Sequence, residues 1–199
     1  TALTITAQTA TAEGETAVKT LDFSKTKCDS KTSSYTSKTT ATVDGFVWSI
    51  ENFNNNNLGW TYIKCGSKNA ASVASIATDA PISEVIEKVV LTIDNVTANN
   101  VNSIKLTVAS DKDFTIDTQT VDIPAVAIGA QTFTVANPIE NGYYKIEIDC
   151  KKSSNGIVQI SKVEYFAPAA PACDHSADKL TKTEAKAATC TEAGNVEYY

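Results

Sequence analysis

The chain contains no arginine, since all 17 of its basic residues are lysines. Its 23 acidic residues give it a formal net charge of -6. Recognition of nucleic acids depends on positive patches and very often on bidentate arginine contacts. We therefore expect no nucleic acid partner.

Histidine is nearly absent too, because His175 is the only one and lies close to the C-terminus. The usual Ser-His-Asp and Cys-His arrangements need a histidine inside the folded domain. Paired carboxylates can hydrolyse glycosides, but 23 acidic residues supply such pairs by chance. We expect no enzymatic activity and no required cofactor.

The chain also lacks any apolar run close to the roughly 20 residues that a membrane-spanning helix needs. We expect no membrane span. Residues 1–17 are rich in threonine and alanine, which is typical of a segment just beyond a removed signal peptide. We interpret them as an N-terminal extension and predict a secreted or cell-surface location.

What the chain does have is one strand signal after another. Valine, isoleucine, threonine and aromatic residues alternate with polar ones, as where Ile104, Leu106 and Val108 share one face. Turn residues such as Asn141-Gly142 and Asn155-Gly156 separate the segments. This pattern predicts an all-β fold, an antiparallel jelly-roll-like β-sandwich over residues 18–167. The predicted strands are residues 40–50, 60–65, 85–94, 101–108, 114–121, 131–135, 143–150 and 156–166.

Residues 168–172 form a proline and alanine linker, which we expect to be extended and semi-rigid. Residues 173–199 follow it as a short, largely irregular tail that is too small to bury a core of its own.

Five cysteines leave at least one without a partner inside this chain. Cys65 follows Ile63 by two positions, and Cys150 follows Ile148 in the same way, so both side chains should point into the core. Two interpretations remain open. The thiols are buried and apolar, or they form a disulfide with each other or with Cys28.

Residues 46–66 contain both tryptophans and the most recognition-like surface of the chain. Strand alternation places Trp48 on an apolar core face, whereas Trp60, Tyr62 and Lys64 share one face opposite Ile63. Aromatic rings beside hydrogen-bonding groups suit a neutral, hydroxyl-rich ligand such as a sugar. The alternative is that Trp60 simply fills core space.

Four consecutive asparagines precede this strand: Asn54, Asn55, Asn56 and Asn57. Their amides would donate and accept hydrogen bonds, and asparagine tolerates the left-handed backbone that ligand-facing loops often use. We predict that they contact the ligand, with a plain polar loop as the alternative.

The C-terminal tail carries a family resemblance. The residues concerned are Cys173-Asp174-His175, Lys182-Thr183-Glu184, Ala187 to Asn195 and Tyr198. They resemble a short Cys/His repeat of large secreted or cell-surface proteins in gut Firmicutes. In such repeats a C-x-x-C usually follows the tyrosine, so the resemblance implies a partial repeat at residues 173–199 and neighbouring modules in a longer chain.

For the tail itself, two interpretations stay open. Cys173, His175 and Cys190 would supply three zinc ligands; otherwise Cys173 and Cys190 would close a disulfide loop, or the tail would be unstructured.

The sandwich, through residues 59–66 and 143–146, is similar to galactose-binding-like and carbohydrate-binding-module sandwiches of bacterial surface proteins. Such families often bind glycans, including starch and host glycans. Sandwiches of this type often hold a structural calcium ion near the two chain ends, which implies Asp22, Asp44 and Glu164 as ligands.

Two functions from different classes are therefore expected. The first is a non-catalytic carbohydrate-binding module of an exported surface protein. The second is a structural or adhesive spacer that presents neighbouring modules and has no small-molecule ligand.

Overall fold

The structure is a computed structural model that describes residues 15–59 and 61–169. The chain divides into two units, Thr1–Pro168 and Ala169–Tyr199, and the account below concerns the first. Within the described residues no helix is long and apolar enough to cross a membrane.

The described residues form twelve strands and two short 3₁₀ turns, at Asn56–Leu58 and Ala98–Asn100. The strands are β1 (Lys19–Asp22), β2 (Lys38–Val43), β3 (Phe46–Glu51), β4 (Phe53–Asn54), β5 (Ile63–Cys65), β6 (Ser72–Thr78), β7 (Lys88–Val96), β8 (Val101–Ala109), β9 (Gln119–Asp122), β10 (Gly129–Thr134), β11 (Tyr143–Cys150) and β12 (Val158–Phe166).

These strands build two six-stranded antiparallel sheets, so the predicted β-sandwich is confirmed. The first sheet has the order β10-β7-β12-β5-β4, and the second has the order β2-β3-β6-β11-β8-β9. In the first sheet the early residues of β12 pair with β5, and its later residues pair with β1. Strands that follow one another along the chain alternate repeatedly between the sheets, as a jelly roll requires.

The inward faces of both sheets form one hydrophobic core. Trp48, Tyr144 and Tyr165 are its largest side chains, and each is 1% exposed or less. The Trp48 indole Nε1 donates a hydrogen bond of 3.3 Å to the Tyr165 hydroxyl, which joins β3 to β12 across the sandwich. The prediction that Trp48 belongs to the core is confirmed, as is the shared buried face of Ile104, Leu106 and Val108.

Two predicted strands are wrong in outline. Residues 40–50 form a hairpin, because Asp44 and Gly45 take positive φ of 48° and 77° between β2 and β3. Asp-Gly is among the strongest sequence signals for a tight hairpin turn, so the sequence alone could have predicted this turn.

The predicted strand at residues 114–121 begins only at Gln119. The Asp111 carboxylate accepts hydrogen bonds from the backbone N–H groups of Thr115 and Ile116, at 2.8 and 2.7 Å. Because these two N–H groups donate to Asp111, they are not available for pairing with a neighbouring strand. The segment therefore forms a turn, and the strand begins later.

The structure also contains strands that were not predicted, chiefly β1 and β6. Strand β6 has the sequence SVASIAT, and the alanines and serines of that segment have weak strand propensity. It forms nevertheless because Ala74, Ile76 and Thr78 are buried between β3 and β11.

Candidate functional site

Lys64 in β5 and Tyr62, which directly precedes the strand, lie on the outer face of the first sheet. Ile63 and Cys65 are 1% exposed or less, whereas Tyr62 and Lys64 are only half-buried. The Lys64 ammonium lies 5.8 Å from the centroid of the Tyr62 ring, within the range of a cation–π contact. The predicted alternation is thus present from Tyr62 to Cys65. Trp60 lies outside the described residues, so its predicted contact with a ligand stays a prediction.

Asn54 sits next to Lys64, because β4 and β5 pair these two residues directly. Its amide nitrogen donates to the Ser33 carbonyl at 3.0 Å, and its amide oxygen accepts the Asn56 N–H at 2.7 Å. Asn56 and Asn57 are exposed and have left-handed φ of 49° and 54°. The asparagine loop therefore has the predicted backbone geometry and borders the Tyr62 and Lys64 surface.

Asn55 differs from its three neighbours because it is only 3% exposed. Its amide oxygen accepts the Thr32 N–H at 2.7 Å, and its amide nitrogen donates to the Ser30 carbonyl at 2.9 Å. Through these two hydrogen bonds, Asn55 holds the 30–33 segment against the end of β4. A ligand on the surface does not reach it, which corrects the prediction that all four asparagines face the ligand.

A polar row continues from Asn54 across the outer face of the first sheet. The register pairs Asn54 with Lys64, Lys64 with Gln159, and Gln159 with Asn95. Four adjacent strands thus present an amide, an amine and two further amides in line. With neighbouring strands about 4.8 Å apart, the row is roughly 14 Å long.

A cavity of about 310 Å³ opens beside this surface, and sequence reasoning missed it. Its lining joins the 33–36 loop, the 67–72 segment and Asn155. It combines one phenol ring with two amides and several hydroxyls, from Ser33, Ser34, Tyr35, Thr36, Ser67, Asn69, Ser72 and Asn155. None of these described lining residues carries an acid or an amine, so the cavity suits a neutral polar ligand.

Tyr35 and Gly156 connect the cavity to the Lys64 surface. Gly156 has a φ of +73°, and a Cβ atom there would lie 2.7 Å from Lys64 Cδ and 3.5 Å from the Tyr35 hydroxyl. Only glycine allows this close approach. Burial, followed by the proximity of Cys65, raises the pKa of Tyr35, so its phenol keeps its proton and can both donate and accept.

One signal in the sequence could have located this cavity. Asn155-Gly156 was recognised as a tight turn with positive φ, and Gly156 has that conformation. Its position against Tyr35, about 120 residues away along the chain, is a product of the tertiary fold.

The predicted calcium ligands share a second cavity, of about 430 Å³, between β1, β12 and the β2–β3 turn. Asp22, Asp44 and Glu164 all line it, and so do Lys19, Lys25 and Lys162. In residues 15–59 and 61–169 no three acidic, histidine or cysteine side chains converge closely enough to hold a metal ion.

The carboxylates in this second cavity have other partners. The Glu164 carboxylate lies 3.0 Å from the Lys162 ammonium, and Asp22 accepts hydrogen bonds from both the N–H and the hydroxyl of Ser24. Calcium needs six to eight oxygen ligands and is disfavoured by nearby ammonium groups. The arrangement therefore does not fit a calcium ion, although the three residues do lie at one cavity as predicted.

The tail residues Cys173, His175 and Cys190 lie outside the described residues. Both the zinc interpretation and the disulfide interpretation of them stay predictions.

No family model matches the chain, and no curated protein matches it. A solved structure described as Xyl-CBM35 in complex with a glucuronic acid containing disaccharide aligns at a TM-score of 0.36 and 13% identity, covering 74% of this chain and 92% of that one.

Proposed function

We propose that this sandwich is a non-catalytic carbohydrate-binding module that holds a glycan on the outer face of the first sheet. The observation that carries the proposal is the continuity of two surfaces. The Tyr62 and Lys64 patch and the Tyr35 cavity meet at Gly156, so aromatic rings, amides and hydroxyls lie side by side.

The chemistry of these groups favours a neutral glycan. Tyrosine rings stack on the C–H faces of a sugar, while amides and hydroxyls exchange hydrogen bonds with its hydroxyl groups. The row from Asn54 to Asn95 would follow an extended chain of sugars, and the Tyr35 cavity would take a side branch or a chain end. Starch and host glycans such as mucin are the ligands to test first.

Export and neighbouring modules belong to the same proposal. They follow from the resemblance of residues 173–199 to a repeat of surface proteins in gut bacteria.

Affinity electrophoresis of the full chain in native gels containing starch, other polysaccharides or mucin tests the proposal. We expect at least one glycan to retard the wild type. Tyr62→Ala should weaken that binding about tenfold, because a stacking contact contributes about 1–1.5 kcal/mol. Tyr35→Ala should weaken it to a similar extent.

Tyr143→Ala is the matched control, since Tyr143 is also half-buried but lies on the outer face of the second sheet. It should bind like the wild type. Equal weakening by Tyr143→Ala would move the site away from Tyr62.

The competing proposal is a structural or adhesive spacer. The outer face of the second sheet favours it, because one row across that sheet carries charges of both signs and has no ring. The row consists of Lys38, Glu51, Ser75, Glu147, Lys105 and Asp122. Unretarded migration of the wild type in every gel would support the spacer against glycan binding.

A further inference from the structure

Cys65 and Cys150 belong to opposite sheets and both lie in the hydrophobic core. Cys65 ends β5 in the first sheet, and Cys150 ends β11 in the second. Both are 0% exposed, and the two side chains are near enough for each thiol to shift the pKa of the other. Both side chains are free thiols in the structure.

Cys28 does not compete for this pairing. It is also buried, but its thiol contacts the Asn55 amide, and its backbone forms a bridge with Ala41 at the edge of the second sheet. Among the described cysteines, Cys65 and Cys150 are therefore the pair of neighbouring thiols.

We propose that Cys65 and Cys150 form a disulfide that cross-links the two sheets when the chain folds in an oxidising compartment. Two neighbouring thiols on packed sheets can join as a disulfide, in which the sulfur atoms lie about 2.05 Å apart. The cross-link closes a loop of some 85 residues and restricts the unfolded chain over nearly half its length.

The reaction needs an external disulfide as oxidant, such as oxidised glutathione or the active-site disulfide of a thiol oxidoreductase. The Cys150 thiolate attacks one sulfur of that oxidant and releases one thiolate. Cys65 then loses its proton and attacks the mixed disulfide at the Cys150 sulfur, which releases the second thiolate. The two cysteines lose two electrons and two protons, and the oxidant gains them as two thiols.

In the folded protein the two thiols have different surroundings. The hydrogen bond from Cys65 lowers the pKa of Cys150, which favours its thiolate. Burial raises the pKa of Cys65 well above its ordinary value, with the Cys150 contact adding to it. Since neither sulfur is exposed in the folded protein, the exchange takes place before the sheets close over the pair.

The cross-link has a structural consequence for the outer face of the first sheet. Strand β5 is only three residues long, and it pairs with β12 over three residues and with β4 over two. A bond from Cys65 to the central strand β11 would fix the strand that presents Tyr62 and Lys64. This inference holds whether or not that surface binds a glycan.

Peptide mapping of the full chain tests the inference directly. The protein would be produced in a bacterial periplasm, denatured without reductant, alkylated and digested with trypsin. We expect residues 65–68 (CGSK) to be linked to residues 146–151 (IEIDCK), with a mass two hydrogens below the sum of the two peptides. Alkylation of both cysteines, or linkage of either to another cysteine, would overturn the proposal.

Thermal unfolding provides a second readout. Reductant should lower the melting temperature of the periplasmic protein by roughly 5–15 °C. Cys28→Ala should keep both the linked peptide and the reductant-dependent shift. A Cys65→Ala/Cys150→Ala double variant should melt at the same temperature with and without reductant; a persisting shift would place the responsible disulfide elsewhere. The peptide map of the wild type stands even where this double variant fails to fold.

Discussion

Replacing Trp48 with alanine is expected to lower the free energy of unfolding by about 3–5 kcal/mol, which is the usual range for removing a buried tryptophan. Trp48 is 1% exposed, its ring lies 4.7 Å from that of Phe46, and its Nε1 donates to the Tyr165 hydroxyl. The substitution leaves a large cavity between the sheets and strips that hydroxyl of its donor. Denaturant unfolding of the full chain, followed by circular dichroism, measures the loss.

Trp48→Phe is the control for this substitution. It keeps an aromatic ring in the core but loses part of the side-chain volume and the whole hydrogen bond to Tyr165. We therefore expect the free energy of unfolding to fall by about 1–2 kcal/mol. A loss below about 1 kcal/mol for Trp48→Ala would contradict the central place of this residue in the core.

The Trp48→Phe variant also serves the functional question, because it leaves Trp60 as the one tryptophan of the chain. Acrylamide quenching of its fluorescence then reports the exposure of Trp60 alone. Strong quenching that a bound glycan suppresses would support Trp60 as a contact residue. Weak quenching without a ligand would support the interpretation in which Trp60 fills core space.

Asn55→Ala is expected to destabilise the protein by about 1–3 kcal/mol, because it leaves the buried backbone N–H of Thr32 without an acceptor. The Thr32 N–H loses its acceptor at 2.7 Å, and the Ser30 carbonyl loses one donor at 2.9 Å but keeps the Thr39 hydroxyl at 3.1 Å. Both groups lie in the segment that leads into the Tyr35 cavity, so its wall should loosen as well. Denaturant unfolding measures the stability, and protease sensitivity of residues 30–37 measures the loosening.

Asn57→Gly is the matched control in the same asparagine run. Asn57 is exposed and has a φ of 54°, which glycine adopts freely. Its effect should stay within about 0.5 kcal/mol. Equal destabilisation by the two variants would refute the distinction between a buried anchor and an exposed loop residue.

The asparagine run shows how far the sequence alone reaches. Four identical residues in a row predict a loop with left-handed backbone, and Asn56 and Asn57 confirm it. Nothing in the run distinguishes Asn55, because its burial depends on the 30–33 segment that folds over it. Identical local sequence thus leads to opposite roles through a long-range contact.

The prediction of strands from sequence is limited by long-range contacts in the same way. Alternation located β8 and β11 well, because their inward residues are large and apolar. It missed β6, whose small residues acquire a strand conformation only between two partner strands. Strand propensity reflects packing against neighbours more than an intrinsic backbone preference.

The sequence by itself determined the all-β class, the inward direction of Trp48, Cys65 and Cys150, and the outward direction of Tyr62 and Lys64. All of these follow from the two-residue period of a strand, which is a local property. The tertiary structure alone decided that Cys65 faces Cys150 and that Tyr35 lies against Gly156 beside Lys64. Those juxtapositions join residues up to about 120 positions apart, and only the order of strands in the two sheets brings them together.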